Sequence, residues 1–323
     1  MIVFRDPREV PAGFGPSVVA IGKFDGVHSG HRAVIDRARV DAAAIGARVV
    51  AVTFDRNPLA LLRPDICPVS LVGVAQKLRL LAETGVDATL LLTFDRALAD
   101  LEARAFVEHV LVGALGVTIV MVGADFRFGR GGAGTPDLLR ELGREFGFDV
   151  DVVDDVRAID EGRRVSSTWV REVLDAGDVA AAAKLLGRSH SVRGEVVHGL
   201  KRGRDLGFPT ANLSQALEGF VPAEGIYAGW LVDEGIPGDG TAEPRSSVRY
   251  PAAISVGTNP TFDDVDVRQV EAYVLDETDI DLYDHIVEVE FVERVRGMTA
   301  FETVDALVAQ IADDVERVRT LLS

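Results

Sequence analysis

The sequence contains almost no cysteine, and this scarcity indicates the kind of cellular compartment in which the protein functions. Cys67 is the single cysteine among 323 residues, so the chain cannot form an internal disulfide. Disulfides persist in oxidising compartments, and their absence favours a reducing one. The N-terminal residues MIVFRDPREV carry charges from Arg5 onward and lack the apolar core of a signal peptide. We therefore expect a cytoplasmic protein.

The chain also lacks a long apolar run and an excess of basic residues. Its longest nearly apolar stretch, residues 110–124, is interrupted by Gly113 and Gly116 and is shorter than the roughly 20 residues of a membrane span. Lysine and arginine number 34 against 51 acidic residues, which gives a formal charge of −17. Because this charge repels phosphate backbones, we expect neither nucleic acid nor a membrane as a partner. A small anionic substrate would have to be bound by local basic groups.

The first part of the chain alternates strand-like and helix-like segments. Short apolar runs rich in β-branched residues predict strands at residues 17–22, 48–54, 88–94, 117–123 and 148–154. Helical spacing lies between the runs, as in Leu71, Val74, Leu78 and Leu81. This alternation is typical of a parallel sheet covered by helices, which binds ligands at the carboxyl ends of its strands. We predict such an α/β domain over residues 1–186.

Strands dominate the remainder of the chain. In IVEVEFVE (286–293), Val287, Val289 and Phe291 face one way, with glutamates facing the other. Several strands of this kind, separated by turns, predict a small antiparallel β-barrel over residues 187–323. An apolar stripe at steps of three and four from Val304 to Leu322 predicts a C-terminal helix packed on the barrel.

The segment GKFDGVHSGH (22–31) follows the first predicted strand directly. Gly26 and Gly30 allow tight turning, and the helix that begins near Gly30 offers free N–H groups to an anion. His28 and His31 are three residues apart and share one face at the helix start, where they can donate to phosphate oxygens. Two ordinary surface histidines at a turn are the alternative interpretation. The coincidence of the pair, the glycines and the strand-to-helix junction favours a phosphate site, although the P-loop pattern G-x4-G-K-[ST] is absent.

These residues resemble the G-x-F-D-G-V-H-x-G-H signature of FMN adenylyltransferases, a variant of the HxGH motif of nucleotidyltransferases. The sequence SSTWVR (166–171) is similar to the later S-S-T-x-x-R motif of that family, and GADFRFG (123–129) to its G-x-D-F-R-F-G segment. The resemblance implies a Rossmann-like nucleotidyltransferase domain in which His28 and His31 are catalytic. It implies that ATP is bound by Gly22, Phe24, Asp25, Gly26, Gly30, Asn57, Ser166, Thr168 and Arg171. It also implies that Asp125 and Phe126 line the nucleotide and flavin end of the site.

Two positions depart from the family pattern. The family usually has T-F-x-P-H-P after its second strand, whereas Thr53–Pro58 has Asn57 in place of the histidine. Asn57 can donate a hydrogen bond to phosphate but cannot carry a positive charge. Arg56 would supply that charge only if its side chain points toward the site. Trp169 stands where arginine is often found.

A second motif, GRDLGFPTAN (203–212), lies in the barrel region. In an extended chain Thr210 and Asn212 project to one face, and their hydroxyl and amide oxygens suit Mg²⁺ carrying ATP phosphates. Local chemistry alone leaves a plain strand and hairpin open as the alternative. The segment resembles the riboflavin kinase signature G-x-x-L-G-F-P-T-A-N, and the resemblance continues through GIYAGWLV (225–232), AAISVGTNPTF (252–262) and VEAYVLD (270–276).

The kinase resemblance implies a catalytic base, a metal site and an ATP site. Glu271 would accept the proton of the riboflavin 5′-hydroxyl during phosphoryl transfer. A carboxylate facing the barrel interior would need a functional reason, although alternation alone leaves open that Glu271 faces solvent with Gln269. Thr210 and Asn212 would hold Mg²⁺. The residues expected at ATP are Gly199, Lys201, Gly203, Gly207 and Phe208.

Together the two resemblances cover nearly the whole chain in the order of bifunctional prokaryotic FAD synthetases. We therefore expect conversion of riboflavin to FMN by the second domain and of FMN to FAD by the first. ATP is the co-substrate of both, and riboflavin, FMN and FAD are the flavin ligands. The alternatives are a kinase with a weakened or inactive adenylyltransferase domain, because of Asn57, and a non-catalytic flavin or nucleotide sensor. An intact set of Thr210, Asn212 and Glu271 disfavours the sensor.

Overall fold

The computed structural model of the chain describes residues 1–153, 162–198, 208–236, 248–258, 268–277 and 280–323. The chain forms two compact units. The first comprises Met1–Ser70 and Val74–Ser166, and the second comprises Leu71–Gly73 and Ser167–Ser323. The predicted domain boundary between residues 186 and 187 differs in position from this division and stays a prediction.

The first unit is built on a six-stranded parallel sheet in the order β1-β4-β3-β2-β5-β6. Its strands are β1 (Ile2–Phe4), β2 (Ser17–Ile21), β3 (Arg48–Phe54), β4 (Ala88–Leu92), β5 (Val117–Gly123) and β6 (Asp149–Val153). Every residue of β2 and β4 is buried, as expected for central strands covered on both faces. The five predicted strands and the parallel α/β architecture are therefore confirmed. Strand β1 was not predicted, because three residues are too few to show a pattern.

Helices cover the sheet of the first unit. The principal ones are α1 (Ser29–Ile45), α2 (Val74–Glu83), α3 (Ala103–Phe106), which continues as a π-helix over Val107–Ala114, and α4 (Pro136–Phe146). Two further helices of a single turn are Leu59–Leu62 and Arg96–Ala99. The core between sheet and helices includes Val50, Leu90, Phe106, Leu111 and Val120. Burial of these side chains, each worth about 1.5–3 kcal/mol, fixes the sheet that positions the loops at its carboxyl edge.

The second unit is built on a closed antiparallel barrel in the order β10-β11-β8-β7-β12-β9. Its strands are β7 (His190–Val197), β8 (Thr210–Leu213), β9 (Gly225–Gly235), β10 (Val248–Thr258), β11 (Arg268–Val274) and β12 (Ile286–Arg296). Val287, Val289 and Phe291 are fully buried, as the alternation in β12 predicted. Glu288 is buried as well, and its Oε1 accepts a hydrogen bond of 2.5 Å from Ser191 Oγ.

In the described part of the second unit, three helices accompany the barrel. Helices α5 (Ser167–Asp175) and α6 (Val179–Leu186) precede the barrel, and α7 (Val304–Leu322) follows it. Val315 and Val318 of α7 are buried in a cluster with Ala228, Leu275 and Val295 of the barrel region. The predicted barrel with a C-terminal helix packed on it is confirmed.

Candidate active sites

The first candidate site lies at the carboxyl edge of the parallel sheet. The strand order runs outward from β2 in both directions, through β3 to β4 on one side and through β5 to β6 on the other. Ligands of such sheets bind where the order reverses. The segment 22–31 leaves β2 at this point, the segment Asp55–Pro58 leaves the adjacent β3, and Asp125 follows the adjacent β5. The three segments singled out in the sequence therefore leave three neighbouring strands at one edge.

The turn between β2 and α1 has an unusual backbone. Gly26 has φ 83°, a value that glycine adopts without strain, but Phe24 at 47° and Val27 at 41° also have positive φ. For bulky and β-branched residues this conformation is costly, of order 1–3 kcal/mol each. Both side chains are buried, and Val27 N–H donates to Phe24 O at 3.2 Å. Core packing thus maintains a strained turn directly before His28.

His28 and His31 stack on each other at the start of α1. Their ring centroids lie 3.6 Å apart with an angle of 18° between the planes. His28 is the N-cap residue, and its Nδ1 accepts a hydrogen bond of 3.3 Å from the His31 backbone N–H. The edge of Phe24 contacts His31 at a centroid distance of 5.2 Å. A Cβ at Gly30 would lie 3.1 Å from the His28 ring, so glycine gives the imidazole its space.

The environment of His31 disfavours its charged form. Burial, followed by the positive fields of His28, Lys23, Arg164 and Lys77, lowers the pKa of His31 well below its usual value of 6.5. Its Nδ1 is buried and has no hydrogen-bond partner among the described residues. A neutral imidazole surrounded by cationic groups is suited to meet an anion, which would satisfy both the nitrogen and the field.

The segment after β3 does not turn an arginine inward. The side chain of Arg56 is 55% exposed, and its Nε lies 3.4 Å from Oδ1 of Asp55. Asn57 is half-buried, and its Oδ1 accepts a hydrogen bond of 3.1 Å from the backbone N–H of Leu59. The side-chain oxygen of Asn57 therefore binds the first backbone N–H of the short helix Leu59–Leu62, whose N-cap residue is Pro58. Its amide group is the part that can donate to a ligand.

The remaining residues of the first motif set lie in both compact units. Asp125 is exposed, and its carboxylate oxygens lie 3.4 and 3.5 Å from the guanidinium of Arg164. The ring of Phe126 stacks on Phe128 at 5.5 Å. Ser166 ends the first unit. In the second unit, Thr168 is exposed, Arg171 is half-buried and Trp169 is buried. Trp169 is thus a packing residue of α5.

The second candidate site brings together residues from two paired strands of the barrel. In the β8–β11 pairing, Asn212 lies opposite Glu271 and Thr210 lies opposite Tyr273. Thr210 Oγ1 donates a hydrogen bond of 3.3 Å to Glu271 Oε2. Asn212 Nδ2 donates to Thr210 O at 3.1 Å and lies 3.2 Å from Thr210 Oγ1. The three side chains form one continuous polar cluster.

Alternation along β11 places Glu271 on the face opposite Val270 and Ala272, which are buried. Glu271 shares its face with Gln269, as one interpretation of the sequence allowed, yet it is half-buried rather than exposed. Phe208 is partly buried and meets the ring of Tyr273 edge-on at 5.4 Å. The predicted ATP residues Gly199, Lys201, Gly203 and Gly207 lie outside the described residues.

Two family models match successive parts of the chain. Residues 12–169 match the model of the FAD synthetase family, and residues 186–322 match that of the riboflavin kinase family. The chain is 37% identical over 297 residues to the bifunctional riboflavin kinase/FMN adenylyltransferase of Escherichia coli strain K12, an alignment of 92% of this chain and 90% of that protein. The chain belongs to the bifunctional riboflavin kinase/FMN adenylyltransferase family.

A second relative and one solved structure also match this chain over nearly its whole length. The enzyme of the same name from Pseudomonas fluorescens is 36% identical over 304 residues, which is 94% of this chain and 92% of that protein. A crystal structure described as a macrolide-efflux protein from Streptococcus pneumoniae has a TM-score of 0.82, 33% identity and 98% coverage of each chain. In the part of the chain that the structure describes, no helix combines the length and the apolar composition of a membrane span.

The donor set of this family member's barrel site fits magnesium. Within the described ranges, no group of three or more histidine, cysteine, aspartate or glutamate side chains could hold a metal by itself. Thr210, Asn212 and Glu271 instead offer one hydroxyl, one amide and one carboxylate. Mg²⁺ prefers oxygen ligands and keeps several waters, so it is commonly held by one or two protein groups together with substrate phosphates.

Two charged residues near the first site were not predicted from the sequence. Lys77 of α2 is only 8% exposed, and its Nζ donates to the carbonyl of Phe54 at 2.6 Å. Arg164 contacts Asp125 and contributes to the field at His31. Lys77 could have been noticed because it lies three residues after Val74 and four before Leu81, within the apolar stripe of its helix. Arg164 follows a segment without periodicity and had no such signal.

Proposed function

We propose that this chain phosphorylates riboflavin to FMN with MgATP and then transfers the adenylyl group of a second ATP to FMN, releasing FAD and pyrophosphate. The observation that carries the proposal is that one chain holds two distinct polar constellations. One is the stacked pair of His28 and His31 at the carboxyl edge of a parallel sheet. The other is the cluster of Thr210, Asn212 and Glu271 on a barrel. The names of the relatives, matched over both units, support the same pair of activities.

In the kinase reaction, Glu271 would act as the base. The riboflavin 5′-oxygen forms a bond to the γ-phosphorus of ATP while the bond from that phosphorus to the β-bridging oxygen breaks, and ADP leaves. The hydroxyl proton moves to the Glu271 carboxylate as the new bond forms, because an alcohol is too weak an acid to ionise beforehand. Thr210 already donates to Oε2 of Glu271 and so orients the carboxylate.

Thr210 and Asn212 would hold the magnesium ion of MgATP in this site. When bound, the ion supplies neutralisation of the phosphate charge. Asn212 Nδ2 donates to the backbone carbonyl of Thr210, an arrangement that fixes the amide and leaves its oxygen for another ligand. We also propose a set of residues that bind ATP in this site: Gly199, Lys201, Gly203, Gly207 and Phe208.

In the adenylyl transfer, a phosphate oxygen of FMN forms a bond to the α-phosphorus of ATP. The bond between that phosphorus and the bridging oxygen to the β-phosphate breaks, and pyrophosphate leaves. FMN phosphate is already an anion, so the reaction requires positioning and charge stabilisation rather than a base. His28 and His31 would donate to the transferring phosphate, supported by the N–H groups at the start of α1.

The other predicted residues would bind around this reaction centre. We assign Gly22, Phe24, Asp25, Gly26, Gly30, Asn57, Ser166, Thr168 and Arg171 to ATP. We assign Asp125 and Phe126 to the flavin end of the site. We also propose that the boundary between the adenylyltransferase domain and the kinase domain lies between residues 186 and 187, after α6 and before β7.

The experiment that tests the proposal follows the flavins over time. The purified chain is incubated with riboflavin, ATP and Mg²⁺, and riboflavin, FMN and FAD are separated by chromatography. We expect FMN first and FAD after it, with both products lost when a chelator removes Mg²⁺ and regained when Mg²⁺ is restored. FMN without FAD would contradict the adenylyltransferase assignment, and no conversion at all would contradict both assignments.

A further inference from the structure

Lys77 is a buried cation behind the first site. It lies on α2 of the first unit and is 8% exposed. Its Nζ donates to the carbonyl of Phe54 at 2.6 Å and to that of Lys23 at 3.5 Å. Burial lowers the pKa of Lys77, whereas the carboxylates of Asp25 and Asp55 oppose that shift. Burying an ammonium group costs stability that an apolar residue in the same helical stripe would not cost.

Of the two carbonyls that Lys77 contacts, one lies in the loop after β2 and the other directly precedes the loop after β3. Phe54 is the last residue of β3 and precedes the Asp55–Pro58 segment. Lys23 lies in the turn after β2. The carbonyl of Lys23 also accepts a hydrogen bond of 3.1 Å from Thr53 Oγ1, a fully buried hydroxyl of β3. Lys77 and Thr53 together therefore connect the two loops through a shared acceptor.

The shared acceptor lies next to the strained part of the turn. Lys23 is followed by Phe24, whose φ of 47° is maintained only because the surrounding contacts favour it. The edge of Phe24 contacts the His31 ring, and Val27, at φ 41°, directly precedes His28. A shift of the Lys23 carbonyl would thus be transmitted to both imidazoles through a short chain of packed residues.

No other described cation on the β3 side occupies this place. Arg56 is exposed beside Asp55, and Asn57 is uncharged. Lys77 instead inserts a cation from the neighbouring helix between the carbonyls of the two loops. Its three N–H groups suit this arrangement, because several donors on one atom can bind acceptors from separate segments.

We propose that Lys77 is a positioning residue for adenylyl transfer, which connects the loops after β2 and β3 and thereby holds His28 and His31 in the geometry that the reaction requires. The inference rests on the proposed adenylyltransferase function. It assigns to Lys77 no contact with ATP or FMN; Lys77 acts through the carbonyls of Lys23 and Phe54.

The test compares two substitutions at one position. Lys77→Met keeps nearly the volume of lysine but loses the donors, and Lys77→Arg keeps positively charged donors but is larger. A positioning role through donated hydrogen bonds predicts that FAD formation from supplied FMN falls about tenfold to a hundredfold in Lys77→Met, with a smaller loss in Lys77→Arg. A role in packing alone predicts the opposite order, because methionine fits the space of lysine better than arginine does.

Two controls separate this inference from the function on which it rests. Lys184→Met makes the same change at an exposed lysine of α6 and should leave both activities unchanged. Kinase turnover in each preparation reports whether the rest of the chain is intact, and thermal unfolding followed by circular dichroism reports on folding. Failure of the unsubstituted chain to form FAD would contradict the proposed function itself. FAD formation by the unsubstituted chain together with unchanged rates in Lys77→Met, or lower rates in Lys77→Arg than in Lys77→Met, would overturn the role of Lys77.

Discussion

Thr210 and Glu271 are connected by a hydrogen bond of 3.3 Å from the threonine hydroxyl to the carboxylate, across the pairing of β8 with β11. The register of the two strands determines this contact, because a shift of one residue would place the two side chains on opposite faces of the barrel wall. Asn212 continues the cluster through its amide. The motif residues Thr210 and Asn212 and the distant Glu271 are thus assembled by strand pairing alone.

The first prediction concerns Glu271 as the base. Glu271→Gln keeps the size and the acceptor oxygen but cannot take up the proton, so we expect kinase turnover to fall by about 10²–10⁴-fold while riboflavin binding persists. FAD formation from supplied FMN should be unchanged, since it uses the other unit. The measurement is ADP release with riboflavin, together with flavin fluorescence for binding. Glu293→Gln, an exposed glutamate of β12, is the matched control, and normal kinase turnover in Glu271→Gln would remove Glu271 from the mechanism.

The second prediction concerns the protonation of His31. Without ligand its pKa is well below the usual value, chiefly because of burial and then because of surrounding positive charges. Bound ATP brings negative charge that favours the imidazolium form, so the pKa of His31 should rise when ATP binds. NMR titration of the His31 ring with and without ATP measures this change. A downward shift, or none, would mean that the triphosphate does not reach the histidine pair.

Much of the fold was predictable because burial produces patterns in the sequence. The central strands are continuous β-branched runs, and β12 alternates, since each pattern follows from the faces that a strand buries. The motifs at residues 22–31 and 203–212 were recognisable by their residue types and by their resemblance to family signatures. Strand β1, with three residues, and the positive φ of Phe24 and Val27 left no comparable pattern.

Features that depend on tertiary contacts could not be predicted. Arg56 could have pointed toward the site, but it pairs with Asp55 at the surface. Trp169 could have replaced an arginine at the ligand, but it is buried in its own unit. Lys77 contacts the carbonyl of Phe54, which lies 23 residues before it in the sequence. No local motif includes both Lys77 and Phe54. The contact of Lys77 joins segments that are distant in sequence, whereas the pair of Arg56 and Asp55 joins neighbours whose side-chain directions depend on the folded backbone.

The third prediction concerns acid stability of the second unit. His190 is buried, its Nε2 lies 2.6 Å from Phe220 O, and burial is the main cause that lowers its pKa to about 4 from 6.5. The unfolded chain therefore binds a proton at His190 more readily than the folded chain does. The contribution of neutral His190 to the free energy of unfolding is complete only above about pH 6.5. This contribution is lost as the pH falls toward 4, by at most about 1.4 kcal/mol per pH unit.

Urea unfolding at pH 7 and pH 5 measures the effect of His190. His190→Gln keeps an N–H donor for the Phe220 carbonyl and does not titrate, so its free energy of unfolding should fall less between the two pH values than that of the unsubstituted chain. His198→Gln, at an exposed histidine of the same unit, should retain the original pH dependence. Equal pH dependence in His190→Gln and the unsubstituted chain would contradict the prediction.

The fourth prediction concerns the ion pair that fastens α7 to the barrel. Arg296 of β12 donates from Nε and Nη2 to the Asp314 carboxylate at 2.7–3.0 Å, and Asp314 is 3% exposed. Gln310 Nε2 donates to the same carboxylate at 3.0 Å. Asp314→Ala leaves the guanidinium without its partner, so the free energy of unfolding should fall by about 3–5 kcal/mol. The adjacent Asp313 is exposed, and Asp313→Ala should change the free energy of unfolding by less than about 0.5 kcal/mol.

A double variant tests whether the loss of stability in Asp314→Ala arises from the unpaired charge. If it does, Arg296→Met/Asp314→Leu should recover much of the lost free energy, because an apolar pair of similar volume avoids the desolvation cost. Denaturant unfolding of the three variants decides the matter, and a double variant no more stable than Asp314→Ala would mean that the pair contributes through its shape rather than its charge.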